Sequence, residues 1–342
     1  MKLHILSVAF LLVIVSCGIR DNQIMQKNIT GKAGEIVIVI SNKSWDDIPG
    51  NLLRQTMAQP LLGLPQEEPL FDLISVPHEA FKEIFQTTRN IIQTRISPIV
   101  ENPGITFTDN IWSFPQATVQ INARNNEEFE SLFRENSDRI IAYFLKAERN
   151  RIAGNYQNTY DMAVYNTLES KYDIKLNVPP GFRIAQEKQD FVWLRYETPE
   201  ISQALMVYWF PYTSDSTFTL NYLLAKRDSF LRANVPGPLE GSYMVTEHLL
   251  SPVFQVTQHN GNYAADIRGL WKVQNDFMGG PFVMLAELDA YRQRIVVADG
   301  YVYAPSKNKR NLIRQVEAMV YSMRFNDQEQ NDRLNRQARM GN

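Results

Sequence analysis

The stretch Tyr263-Ala264-Ala265-Asp266-Ile267-Arg268-Gly269-Leu270-Trp271-Lys272 decides the fold of the C-terminal half of this chain. Because successive side chains of a strand point to opposite sides, one side of the stretch collects Tyr263, Ala265, Ile267, Gly269 and Trp271. The other side carries Asp266, Arg268 and Lys272. This alternation predicts a β-strand with one face on a core and the opposite face in solvent.

Further strands are predicted around this one, because short apolar runs alternate with turns rich in Pro, Gly and Asn. They cover residues 174–178, 191–196, 204–210, 253–258, 282–289 and 295–303. Apolar residues three and four apart predict two helices, at 219–233 and 307–323. We therefore expect an antiparallel sheet with helices on one side, an α+β domain over residues 156–325 that folds by itself.

The N-terminal half alternates strand and helix patterns. The apolar run Glu35–Ile40 predicts a strand buried on both faces, followed by a short helix that carries Leu52, Leu53 and Met57. Further strands are predicted at 70–76, 90–96 and 117–121, and a helix with Phe81, Ile84 and Phe85 on one stripe is predicted from Pro77.

A longer helical pattern covers residues 127–172, and either Asn125 or Asn126 can cap its start. Gly154 is the clear break in this pattern. We place the domain boundary near it, which gives an N-terminal α/β domain over residues 35–155.

Residues 1–17 resemble a bacterial lipoprotein signal peptide. Met1 and Lys2 give a charged start, Ile5–Val15 is apolar, and Cys17 follows small residues at a processing site. An uncleaved anchor or an N-terminal core helix is the alternative, but only Ser7 interrupts the apolar run, which leaves no polar face. The resemblance implies a signal peptide over 1–16, lipid attachment at Cys17 and a flexible tether over 17–34. A polar tail is expected over 326–342.

Composition excludes several function classes. The chain has 35 basic and 37 acidic residues, mixed along its length without a basic run, so nucleic acid is not an expected partner. Cys17 is the only cysteine, and a thiol that carries lipid forms no disulfide. After the apolar run near the start, no stretch approaches the ~20 apolar residues of a membrane span.

Motifs for catalysis or cofactor binding do not stand out. His78, His248 and His259 lack a His or Cys partner at the spacing of a zinc site, so we expect no metal and no cofactor. There is no nucleophile elbow and no phosphate-binding loop followed by Lys and Ser or Thr. The segment Met278–Pro281 is interpreted as a turn between strands in preference to a phosphate cradle, since no predicted helix starts after it.

Many unusual strings occur in one order between about residue 30 and residue 325. They are Gly34–Ile40, Leu64–Asp72, Thr217–Thr219, Lys226–Ser229, Val235–Pro238, Glu240–Met244, Ile267–Trp271, Asp276–Phe282 and Tyr303–Pro305. Through them the chain resembles the Bacteroidota lipoproteins grouped as domain of unknown function 4837. The resemblance implies a taxon and an envelope location, and no functional residues. The order of elements is also similar to the PsbP and Mog1 type of fold, an analogy of topology without function.

Two interpretations remain open for the polar side of the strand quoted first. Asp266 and Arg268 form a solvent face, or they line a ligand groove together with Trp271 and Asp276. The groove is a candidate because the planar fork of Arg268 suits a carboxylate or phosphate.

Asp299 is the other residue that conflicts with its surroundings. If residues 290–293 form a four-residue hairpin loop, Asp289 faces Arg294 and Met284 faces Asp299, which then lies on the apolar face. The Asp299 carboxyl must be protonated, paired, or lifted out by a bulge at Asp299-Gly300, and we expect the bulge.

Three function classes remain, and the first is a non-enzymatic envelope lipoprotein that binds a protein or serves in assembly or maintenance. The second is a lipoprotein that binds a small molecule or glycan, and the third is a hydrolase with an unassigned carboxylate site. A pocket with converging polar groups favours the second or third class, and a broad apolar patch the first. The expected location is the outer membrane, facing the periplasm, because Gly18–Asp21 lack an acidic run after Cys17.

Overall fold

A computed structural model of the chain describes residues 27–326, which form two halves that each contain a sheet. The expected signal peptide over 1–16, Cys17 and all but the first residue of the tail over 326–342 lie outside the described residues. None of the helices within the described part of the chain is long and apolar enough to cross a bilayer.

The N-terminal half is an α/β unit, as the sequence predicts. Its strands are β1 (Lys27–Asn28), β2 (Glu35–Val39), β3 (Asp72–Val76), β4 (Asn90–Ile96), β5 (Gly104–Asp109), β6 (Ser113–Phe114) and β7 (Ala117–Ala123). Its helices are α1 (Asn42–Trp45), α2 (Ile48–Met57), α3 (Glu83–Gln86) and α4 (Asn126–Asn158). Five strands form a sheet in the order β3-β2-β4-β7-β5, which is parallel except for β5. Helices α2 and α4 cover one face of it and bury a core that contains Ile36, Leu53 and Phe133.

The predicted helix from Pro77 is wrong. Residues His78–Ala80 form a single 3₁₀ turn, and α3 is only one turn long. Phe81 and Phe85 still pack on the sheet beside Trp112, but Ile84 is 76% exposed. Two separate turns therefore carry the aromatic anchors that the sequence suggested for one helix.

The predicted tether ends earlier than residue 34. Strand β1 pairs with β6 in parallel, and the backbone N–H of Thr30 donates to the carbonyl of Thr87 at 2.8 Å. Residues 27–34 are therefore attached to the N-terminal sheet by backbone hydrogen bonds.

Helix α4 does not break at Gly154, contrary to the prediction. Asn125 caps it as expected, with its side chain accepting from the N–H of Glu128 at 2.8 Å. The helix continues to Asn158 because one glycine costs only about 1 kcal/mol relative to alanine in a helix interior. A new helix then starts after Asp161, whose carboxylate accepts from the N–H of Val164.

The C-terminal half is built on the antiparallel sheet that the sequence predicts. Its strands are β8 (Ile174–Lys175), β9 (Arg183–Lys188), β10 (Phe191–Glu197), β11 (Ser202–Pro211), β12 (Met244–Glu247), β13 (Val253–His259), β14 (Asn262–Val273), β15 (Gly279–Asp289), β16 (Arg294–Tyr303) and β17 (Arg324–Phe325). Its helices are α5 (Met162–Tyr172), α6 (Leu220–Asn234) and α7 (Arg310–Val320). Eight strands pair in the order β12-β14-β15-β16-β11-β10-β9, with β13 beside β12 on β14.

Helices cover both faces of this sheet, so the expectation of one covered side is wrong. Helices α5 and α7 pack on the face that carries Val283 and Leu285, and α6 packs on the face that carries Phe282 and Met284. A sheet that is apolar on both faces needs a layer on each of them.

The β15–β16 hairpin has the predicted register, with Asp289 opposite Arg294 and Met284 opposite Asp299. The predicted bulge at Asp299 is wrong, since the pairing continues through this residue on both sides. Asp299 is completely buried and forms an ion pair with Arg227 of α6, with 2.8 Å between Nε and Oδ2. Pairing therefore resolves the conflict between this carboxylate and its apolar surroundings.

Helix α7 joins the two halves. The carboxylate of Glu68 accepts from the backbone N–H groups of Lys309 and Arg310 at 2.5 and 3.0 Å, which caps the helix. Arg310 also forms a two-pronged contact with Asp72, and Arg314 donates to the carbonyl of Leu70 at 2.6 Å. The expectation that the C-terminal half folds alone stays a prediction, and a C-terminal half expressed alone would lack these partners of α7.

Candidate functional site

A cleft of about 670 Å³ opens on the α6 face of the C-terminal sheet, where the cover of that helix ends. Two rows of cross-strand partners form its floor. In the first row, Arg195 and Tyr301 line the cleft, and the completely buried Ala204 is the cross-strand partner of both. The second row contains Glu197, Ser202 and Tyr303. In each row a small residue, Ala204 or Ser202, lies between two large ones. The floor of the cleft is therefore deeper at these positions than at the neighbouring rings.

The inner end of the floor is aromatic. Trp271 packs edge-on against Tyr301 with 5.1 Å between ring centroids, and its Nε1 donates to the carbonyl of Val302 at 3.3 Å. Its cross-strand partner is Gly280, where a Cβ would overlap the Val302 carbonyl oxygen. Glycine at this position therefore permits the close strand approach that holds Trp271 in place.

Two loops form the walls. One is the β10–β11 turn, and the other is the segment between α6 and β12, which contains the rigid sequence Val235–Pro238. Met244, Met278 and Pro305 complete the lining. Mostly apolar walls with a few polar groups, at this volume, are typical of sites for small organic ligands.

The polar groups of the cleft are arranged in ion pairs. Arg195 lies over the Trp193 ring, with its Cζ 4.7 Å from the ring centroid, and donates to Glu197. On the neighbouring turn, Glu200 pairs with Lys307 at 3.0 Å. Burial raises the pKa of the Tyr301 hydroxyl, so this ring stays neutral. Engaged carboxylates and a neutral phenol suit binding better than acid–base chemistry.

The four residues predicted to line one groove do not come together. Trp271 lines the cleft, and Asp276 lies in the β14–β15 turn, where it accepts from the N–H of Met278 at 2.9 Å. Asp266 and Arg268 lie on the opposite face of β14, against α7. Strand alternation correctly placed Trp271 on the face opposite Asp266 and Arg268. The face that carries Asp266 and Arg268 is covered by α7, however, and is not a solvent face.

Arg268 and its neighbours hold α7 to the sheet. Arg268 donates to Asp266 and to Glu317 at 2.9 Å each, and Arg149 of α4 donates to the same Glu317 oxygen at 3.1 Å. Burial by itself would raise the pKa of Glu317, but Arg268 and Arg149 outweigh it and hold that pKa at about 2. This cluster is therefore an ionised structural network and not a ligand groove.

Two of the histidines also have structural roles. Nε2 of His78 lies 2.6 Å from the carbonyl oxygen of Thr94, and Nδ1 of His259 lies 2.7 Å from Glu287. Within residues 27–326, no three His, Cys, Asp or Glu side chains are grouped so that they could hold a metal ion.

Sequence reasoning missed Trp193, Arg195, Tyr301 and Tyr303 as cleft residues. The signal for Tyr301 and Tyr303 was their spacing of two in a predicted strand, which places both rings on one face. The wall Val235–Pro238 was among the unusual strings, but nothing in the sequence paired it with β10.

Comparisons with known proteins match the two halves separately. Residues 29–157 match the family described as Domain of unknown function (DUF8532). Residues 161–322 match the family described as Domain of unknown function (DUF4837), so the expected resemblance covers the C-terminal half and not the whole span from 30 to 325. No curated protein matches the chain.

Solved structures similar to this chain include the Ran-binding protein Mog1p of Saccharomyces cerevisiae, at 12% identity, 45% coverage of this chain, 90% of that chain and a TM-score of 0.30. A point mutant of Mog1 matches at 11% identity, with coverages of 45% and 90% and a TM-score of 0.27. The human StarD13 lipid transfer and protein localization domain matches at 10% identity, with coverages of 47% and 94% and a TM-score of 0.22. At these scores the likeness carries no argument about this chain. Residues 161–322 of the chain therefore belong to the family described as Domain of unknown function (DUF4837).

Proposed function

We propose that this protein is a lipid-anchored protein of the bacterial cell envelope, from Bacteroidota, that binds a small apolar ligand in the aromatic cleft. The observation that carries the proposal is the cleft itself, with rings on its floor, prolines in its walls and a few paired charges. The lipoprotein part rests on the signal-peptide pattern that ends at Cys17.

Binding in the cleft is tested with N-phenylnaphthylamine, an uncharged aromatic probe whose fluorescence rises in apolar surroundings. The wild-type chain from Lys27 onward should bind it with a micromolar dissociation constant, and Ser202→Trp, which fills the floor, should abolish binding. Ser306→Trp repeats the test from another lining position, and Ser170→Trp on the exposed side of α5 is the matched control. Equal binding by the wild type and both filled variants would refute the proposal.

Membrane attachment is expected to depend on Cys17 alone. Each buried CH₂ of an attached acyl chain contributes about 0.8 kcal/mol, so several chains hold a protein firmly on a membrane. The full chain should fractionate with membranes, and a chain that begins at Lys27 should be soluble. Cys17→Ala should accumulate as a longer, unprocessed precursor. Recovery of the Lys27 chain in washed membranes would contradict the anchor.

A non-enzymatic role in protein binding or envelope assembly is the second candidate. Large apolar side chains stand out from the surface, with Phe277 fully exposed at the tip of the β14–β15 hairpin and Leu249 86% exposed. Phe277 lies next to Met278 of the cleft, so a bound partner would reach both. This candidate gains support if the filled variants bind N-phenylnaphthylamine as the wild type does.

A further inference from the structure

Two arginines lie directly opposite each other at the mouth of the aromatic cleft. Arg183 of β9 is the cross-strand partner of Arg195 of β10. Like charges at directly opposed positions destabilise a strand pair. A compensating anion is therefore required on this face of the sheet.

Glu197 supplies that anion, but only one. It lies two residues after Arg195 on the same face, and its two oxygens divide between the arginines: Oε1 accepts from Arg195, and Oε2 accepts from Arg183 at 3.0 Å. The other ion pair of the cleft, Glu200 with Lys307, is neutral. The three side chains Arg183, Arg195 and Glu197 thus carry one excess positive charge beside the cleft, although Arg183 itself does not line it.

Of the two arginines, Arg195 is the one that a ligand in the cleft can contact. It lines the cleft, whereas the side chain of Arg183 is 70% exposed on the edge strand. The Arg195 guanidinium lies over the Trp193 ring at the edge of the cleft. A planar guanidinium beside aromatic rings suits an anionic group attached to an apolar body.

We propose that the ligand of the aromatic cleft is an organic anion, with an apolar or aromatic body on the rings and one carboxylate or similar group on Arg195. This inference rests on the proposed function, since it specifies the ligand of the same cleft. Glu197 stays with Arg183 when the anion binds, and the charge at the mouth is then balanced.

The test compares two probes that differ in charge only. Anilinonaphthalene sulfonate carries the ring system of N-phenylnaphthylamine plus one sulfonate. The wild type should bind the sulfonate about tenfold more tightly than the uncharged probe, the size expected for one charge-assisted hydrogen bond in a partly exposed site. Arg195→Met keeps an apolar stem over Trp193 and should reduce the ratio of the two affinities to about one; the ratio is the readout, since a change in the cleft wall affects both probes.

Glu197→Gln is the matched variant with the opposite expectation. It weakens the internal partner of Arg195 and should raise the ratio of sulfonate affinity to uncharged-probe affinity several-fold above the wild-type ratio. Because glutamine keeps the size and shape of the Glu197 side chain, this ratio provides a second readout if Arg195→Met fails to fold.

The outcomes separate the two proposals. If the uncharged probe binds in the cleft but the sulfonate is not preferred, or Glu197→Gln lowers the ratio of sulfonate affinity to uncharged-probe affinity, the anion inference is overturned and the proposed function stands. If neither probe binds, both are overturned.

Discussion

Asp299→Leu should lower the free energy of unfolding by about 3–5 kcal/mol, because it leaves the Arg227 guanidinium buried without its anion. Arg227 and Asp299 are both completely buried between α6 and the sheet. The guanidinium also lies over the Phe282 ring at 3.8 Å and donates to Thr246 at 2.9 Å. Neither contact supplies a negative charge, and the remaining carboxylate, that of Asp228, is partly exposed and lies farther away, with 3.9 Å between its Oδ1 and Nη1 of Arg227. Burial raises the pKa of Asp299, against the attraction of Arg227, which is the sign of a carboxylate that gives up much hydration in this core.

The double variant Asp299→Leu with Arg227→Met tells whether the loss of stability comes from the unpaired charge of Arg227 or from the changed packing at residue 299. Replacing both members of a buried pair by apolar residues is often neutral or stabilising, so the double variant should recover most of the loss. Urea melts measure all three proteins. Glu83→Gln, which removes the exposed pair with Lys27, is the control and should leave the midpoint almost unchanged. A double variant less stable than Asp299→Leu would show that the pair is favourable in its own right.

Trp271→Ala is expected to cost about 3–5 kcal/mol as well, through the cavity left by a large buried ring. Trp271 is 2% exposed and contacts the rings of Tyr301 and Tyr303. Total stability is on the order of 5–15 kcal/mol for a domain, so the loss is a large fraction of it. Thermal melts should show a drop of several degrees for each kcal/mol.

Tyr291→Ala is the matched control, since this ring is 80% exposed in the β15–β16 loop and should affect melting little. The same protein preparations are tested for binding of N-phenylnaphthylamine, which Trp271→Ala should weaken. Arg268→Ala, for which strand alternation alone predicts little effect, should also destabilise, because Glu317 and Asp266 both lose an ion-pair partner. A melting loss at Tyr291 equal to that at Trp271 would contradict the assignment of Trp271 to the core.

The strands of the C-terminal half could be predicted because their signal is local. All seven predicted stretches overlap strands, and the Met284–Asp299 register follows from the length of one hairpin loop. Strands β9, β12 and the two-residue β17 were missed. Strand β9 is a polar edge strand whose residues are half-buried or exposed, so no alternation of apolar residues marks it.

The site could not be predicted, because it depends on pairing between distant segments. The aromatic cleft needs the strands from β14 to β10 to follow one another in the order β14-β15-β16-β11-β10, and a single sequence gives no strand order. The same holds for Asp299, whose partner Arg227 lies 72 residues away on a helix. The sequence showed that the Asp299 carboxylate lies on an apolar face, but it did not show that Arg227 pairs with it.

The cap that Glu68 provides for α7 also has a consequence for how this chain reaches its native state. The two partners, Glu68 and Lys309, are 241 residues apart. Contacts at such a separation slow folding, because the intervening chain loses the entropy of loop closure before the contacts contribute any stability. The first half contains its own sheet, but the helix that contacts its 68–72 segment is not available until residues 309–320 have been made. The contact between the two halves therefore forms late during synthesis, after the strands of both sheets are already present in the chain.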